Sequence, residues 1–101
     1  MKCVILESPY RVDRTRTYLQ ECIRDCLRRG EAPFASHQMY TDALDDDNVQ
    51  DRTLGISAGF AWHDRADYVV VYEDLGVSPG MQEGIDHAQG RGLRVDRRRI
   101  R

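Results

Sequence analysis

Tyr68-Val69-Val70-Val71-Tyr72 is a run of five β-branched or aromatic residues with no charge among them. A strand with one wet face alternates apolar and polar residues. An unbroken run belongs to a strand covered on both faces, the central position of a parallel sheet. Parallel neighbours cannot be joined by a tight turn, so helical crossovers must separate the strands of such a chain.

The flanking segments fit that requirement. Lys2 to Leu6 reads as a buried strand that runs into the loop Glu7 to Arg11. From about Asp13 to Arg29, Tyr18, Leu19, Cys22, Ile23, Cys26 and Leu27 recur at three- and four-residue spacing, the stripe of an amphipathic helix that Gly30 stops. Ala32 to Ser36 is a weaker strand whose Pro33 belongs at its start or on an edge. A polar loop through His37, Tyr40, Thr41 and Asp45-Asp46-Asp47 follows, then a helix over Val49 to His63. Gly55 and Gly59 weaken that helix but let another helix, a backbone or a subunit approach it closely. Ser78 is an N-cap with Pro79 at the first helical position. The helix they begin ends near Gly90 or Gly92, and Leu93-Arg94-Val95 makes a last short strand.

The order β-α-β-α-β-α-β predicts an α/β fold: a three-layer, flavodoxin- or Rossmann-like parallel sheet of about four strands with helices on both faces. A chain of 101 residues has room for one core, so residues 1–101 are read as a single domain. A net charge of −2 argues against bulk attraction to nucleic acid. The arginines crowding the end, from Arg91 to Arg101, read as a solvated terminus, with a phosphate- or nucleic-acid-binding arm as the alternative. No apolar run approaches membrane-spanning length and no leader precedes Cys3, so a cytoplasmic location without membrane contact is expected. Three cysteines do not make a disulfide framework. Cys22 and Cys26 lack further ligands at metal-binding spacing, and neither metal nor cofactor is expected.

In an open parallel sheet, ligands sit beyond the carboxyl ends of the strands. That rule selects the loops Glu7 to Arg11, His37 to Thr41 and Glu73 to Met81. Ser78, Gly80 and Met81, at a helix N-terminus, present backbone N–H groups to a phosphate or carboxylate. Ser8 lies in the first loop. There Tyr10 and Arg11 suit stacking on a base and holding a phosphate. His37 suits a sugar hydroxyl or proton transfer, and Asp74 suits ribose hydroxyls. Trp62 reads as core or subunit contact, His63 and His87 as solvated helix residues, and Asp45 to Asp47 as a solvated cluster.

Ile5-Leu6-Glu7-Ser8-Pro9-Tyr10, the stretch Trp62 to Tyr72, and Ser78-x-Gly80-Met81 with Ala88 and Gly92 together resemble the nucleoside 2-deoxyribosyltransferase superfamily. The nearer resemblance is to its small uncharacterised branch in phages and bacteria, which for a phage-encoded chain would mean the host cytoplasm. The resemblance implies a flavodoxin-like sheet, a homo-oligomer, and a pocket for a nucleoside or nucleoside monophosphate. It also implies cleavage or exchange of the N-glycosidic bond by a glutamate four residues before the alanine matching Ala88. This chain has Gly84 there. Glu83 is adjacent, but one helical step turns a side chain by about 100°. The expected function is therefore binding, sequestering or sensing a nucleotide- or nucleoside-like molecule. The alternative is an N-glycosidase or deoxyribosyltransferase with Glu83 or Glu7 as nucleophile. A third reading is a partner-binding module using the Gly55/Gly59 helix and the basic tail.

Overall fold

The computed structural model describes residues 1–11 and 15–101. Its elements follow in the order β1 (Lys2–Glu7), α1 (Arg16–Arg28), β2 (Glu31–Phe34), α2 (Ser36–Ala43), α3 (Val49–Ala61), β3 (Tyr68–Tyr72), α4 (Pro79–Gly90) and β4 (Val95–Arg98). A short 3-10 turn, Trp62–Asp64, links α3 to β3. The sheet order is β2-β1-β3-β4 and every pairing is parallel. This is the three-layer α/β fold expected from the strand run, and every residue of β3 is buried.

Strand alternation builds two cores from one sheet. Val4, Leu6, Tyr68, Val70 and Tyr72 face α1, where Tyr18, Leu19, Cys22 and Cys26 meet them. Ile5, Val69 and Val71 face the other way, onto Met81, Ile85 and Ala88 of α4. The helix start expected near Asp13 lies outside the described residues. Within the expected α1 stripe, Leu27 is half exposed, so the buried face is narrower than the spacing predicts. Among the described residues no helix is long and apolar enough to cross a membrane. Cys3, Cys22 and Cys26 are all free thiols.

Two expectations need correction. The loop expected over His37 to Thr41 is helix α2, which no buried residue and no side-chain cap announces. Its seat explains the two glycines of α3. A Cβ on Gly59 would stand 3.1 Å from the Ser36 hydroxyl, and one on Gly55 would stand 3.3 Å from Leu44 Cδ1. The close approach those glycines permit is thus made by the chain's own α2. Trp62 braces the same junction, its Nε1 donating to the Tyr40 hydroxyl at 2.8 Å and its ring 5.0 Å from that of Phe34. Gly59→Val should push α2 off α3 and cost about 1–2 kcal/mol, read by urea denaturation.

The second correction concerns Arg98: Arg91, Arg94, Arg97, Arg99 and Arg101 are exposed, but the Arg98 side chain is buried. The last strand is Val95–Arg98, displaced from the expected Leu93 to Val95. Arg98 turns inward and makes a two-pronged ion pair with Glu31 across the sheet, each N···O distance being 2.7 Å. Arg97 pairs with Glu73 and Arg101 with Glu21, both at 2.9 Å. Hydropathy marks all of these residues as surface; the Glu31 carboxylate brings Arg98 alone into the interior.

Candidate functional site

Strand order reverses at β1, because β2 lies on one side of it and β3 on the other. The loops leaving β1 and β3 therefore diverge to opposite faces and leave a crevice between them. A cleft of about 900 Å³ opens at that point. Ser8, Tyr10 and Arg11 line it from the loop after β1, and His37 from α2. Ser78, Gly80 and Met81 line it from the start of α4. Asp74 lies elsewhere. Its carboxylate accepts from the Tyr18 hydroxyl at 2.7 Å and from the backbone N–H groups of Ile100 and Arg101 at 3.1 and 2.8 Å. It ties the chain end to α1, so its oxygens are committed to structure and not to the cleft.

The start of α4 offers fewer donors than its sequence suggests. The Met81 N–H is already given to the Ser78 side chain at 3.2 Å, and the Ser78 N–H points at the Met81 sulfur at 3.4 Å. That reciprocal cap is good helix chemistry, but it leaves the Gly80 N–H and the Ser78 hydroxyl proton to face the cleft.

The deepest polar groups come from β1 and α2. Alternation puts Glu7 on the same face as Ile5, directed at α4. The carboxyl fits because residue 84 has no side chain: a Cβ there would come within 3.0 Å of Glu7 Cδ and collide with Oε2. Among the described residues no donor or cation pairs with the Glu7 carboxyl, and burial pushes it up to about 8. Removal from water penalises the charged form and favours the carboxylic acid. His37 is placed alike. Its Nε2 lies 3.2 Å from the Ser8 hydroxyl, while Nδ1 is buried without a partner among the described residues. Burial lowers the imidazole to about 4, so the ring is neutral. Tyr10 packs edge-on against it at 5.9 Å and gives its hydroxyl proton to Asp42 at 3.0 Å.

Glu83, next to Gly84, is exposed at the rim of the cleft while Gly84 is buried beneath Glu7. The one-residue rotation expected from helix geometry is what is observed. The carboxyl nearest residue 84 comes from β1.

Residues 2–98 match the profile of DUF7768, a domain of unknown function. The chain belongs to this family. No curated protein matches it. The matched span runs from the first residue of β1 to the last of β4, so the sheet and every wall of the cleft are parts of the DUF7768 domain.

This DUF7768 domain also pairs His63, which lines the cleft, with His87 of α4. His63, expected to be solvated, is buried, and its Nδ1 lies 2.8 Å from His87 Nδ1. The His87 ring stacks on Phe60 at 4.1 Å. Burial first, and His87 second, lower the His63 imidazole. The only sequence signal was that His63 falls four residues after Gly59, on the face where α3 is closely packed. Asp46, Asp47 and Asp51 stand at the mouth of the cleft. There the Asp45 N–H bonds to Asp51 and the Asp47 N–H bonds to Asp45, shaping the turn into the Asn48 cap of α3. Among the described residues no group of three or more His, Cys, Asp or Glu is placed to hold a metal ion.

Proposed function

We propose that this DUF7768 domain binds a nucleoside- or nucleotide-like small molecule in the cleft at the ends of β1 and β3, as a sequestering or sensing protein. One observation carries the reading. His37 Nδ1, in the wall of the cleft, is removed from water with no partner among the described residues, and the half-buried Glu7 carboxyl lining the same cleft has no donor or cation among them. Buried polar groups are normally hydrogen-bonded, and a bound molecule supplies what the protein withholds. The volume, about 900 Å³, suits a ligand of nucleotide size. Arg11, with the Gly80 N–H, offers an anionic group a place at the mouth.

Glycosyl transfer is the second reading, favoured by a carboxyl lodged over Gly84. Binding takes precedence because a neutral Glu7 lacks the charge a nucleophile needs, and Glu83 sits in solvent. Incubation with nucleosides and nucleoside 5′-monophosphates should release no free base, by chromatography. Release that disappears in Glu7→Gln or Glu83→Ala would replace binding by catalysis. A stabilising ligand at a hundred times its Kd adds about 2.7 kcal/mol, so thermal shift with the same compounds should detect binding. A cytoplasmic setting is supported by three free thiols. Exposed Met39, Val49, Leu54 and Trp62 on α2 and around α3 support a homo-oligomer, which sedimentation would show.

A further inference from the structure

We propose that Glu7, seated in the notch that Gly84 leaves on α4, is the hydrogen-bond donor of the cleft and holds an acceptor oxygen or nitrogen of the ligand. The inference rests on the cleft being a ligand site, and it adds a proton to that site's chemistry. A carboxylate only accepts; a carboxylic acid donates one hydrogen and accepts with its other oxygen.

The geometry keeps Glu7 in the donating form. Its strand position aims it at α4, and the missing side chain at 84 lets the carboxyl seat against the helix, where Glu7 is half-buried. No ammonium or guanidinium among the described residues pairs with it. The titratable and charged groups lining the same space are Tyr10 and Arg11 from the loop after β1, His37 and Tyr40 from α2, Asp46 and Asp47 from the turn before α3, Asp51 and Arg52 from the start of α3, His63 from the 3-10 turn and Glu83 from α4. Burial keeps His37 uncharged, and the two arginines stand on loop and helix positions that line the cleft without an ion pair to Glu7. His37 Nδ1 supplies the complementary half: the second group in the cleft without a partner among the described residues, reached from α2 as Glu7 is from β1. Between them they suit a ligand that offers an acceptor to Glu7 and a second polar atom to His37, as vicinal hydroxyls or the edge of a heterocyclic base do. Its phosphate would lie toward Gly80 and Arg11.

The test has a free-protein arm and a ligand arm. With glutamate labelled at the carboxyl carbon, the Glu7 resonance is assigned by its loss in Glu7→Gln and titrated by NMR. Wild type should show a midpoint near 8, and Gly84→Ala, which fills the notch, should return it toward the ordinary carboxyl range. Calorimetry with adenosine 5′-monophosphate and ribose 5-phosphate at pH 7.0 and 9.5 reads the ligand arm. Their phosphates are dianions at both values. Affinity should fall roughly 30-fold at the higher pH, because each unit above the midpoint removes tenfold of the protonated form. Glu7→Gln, whose amide donates at every pH, should flatten that profile. A Glu7 that titrates in the ordinary range, or is unmoved by Gly84→Ala, overturns the proposal. So does binding that is independent of pH in wild type, which leaves the cleft a ligand site. If neither compound binds at either pH while Glu7 titrates high, the ligand reading fails and the proposal falls with it.

Discussion

Arg98→Met is expected to destabilise the domain by about 3–5 kcal/mol. Arg98 and Glu31 are almost wholly buried, at 8% and 6% side-chain exposure, and they join the two edge strands β4 and β2. Between them pass the tyrosines of β3. The Tyr68 hydroxyl donates to Glu31, the Tyr72 hydroxyl donates to Asp25 at 2.7 Å, and the Arg98 guanidinium stands over the Tyr72 ring at 6.0 Å. Truncating the arginine leaves a carboxylate among these groups without its cation, and that uncompensated charge makes up most of the cost. The double change Glu31→Leu/Arg98→Met should recover much of the loss, since it removes both desolvated charges together. The pair also sets an acid limit. The bonds from Arg98, chiefly, hold Glu31 down to about 2 against an ordinary 4.5. A depressed carboxyl contributes stability that is present above pH 4.5 and is lost as pH falls toward 2. Urea midpoints at pH 6 and pH 3 should therefore differ in wild type and differ less in the double variant. Equal sensitivity in both would place the acid limit elsewhere.

Strand β3 could be read from five residues because burial on both faces leaves an unbroken apolar pattern, and the rest of the architecture follows from needing parallel partners. Helix α1 was legible for the related reason that one stripe of it is buried. Helix α2 buries no residue fully, so periodicity carries no signal there; it forms because Gly55 and Gly59 let it lie against α3. The inward turn of Arg98 was illegible because an arginine reads as surface until its carboxylate, 67 positions away in sequence, is known. In the cleft, topology brought together the residues of the loop after β1 and of the α4 start. It failed for Asp74, whose oxygens serve the chain end. Glu7 lies between these cases. Alternation from Ile5 puts it on the α4 face, and Gly84 in the sequence marks a missing side chain, but only the register of β1 against α4 shows that one fills the other.

That register leads to the opposite kind of expectation: Glu7→Gln should make the domain more stable at neutral pH. The carboxyl rises from 4.5 to about 8 on folding through burial alone. A raised folded-state value means that stability is complete below pH 4.5 and is progressively lost as pH rises toward 8, because the unfolded chain releases a proton that the folded one retains. At full strength the slope is about 1.4 kcal/mol per pH unit. Allowing for the cleft's contact with solvent, the gain in Glu7→Gln at pH 7 should be on the order of 2–3 kcal/mol, vanishing near pH 4. Paired urea denaturation of both proteins across pH 4 to 8 would show it. A Glu7→Gln protein less stable than wild type at pH 7 would mean that the carboxyl is ionised and paired, and the neutral acid would be ruled out. A gain that grows with pH has another meaning. It would show that Glu7 costs the fold stability where a glutamine does not, which is the mark of a group retained for the site and not for the core.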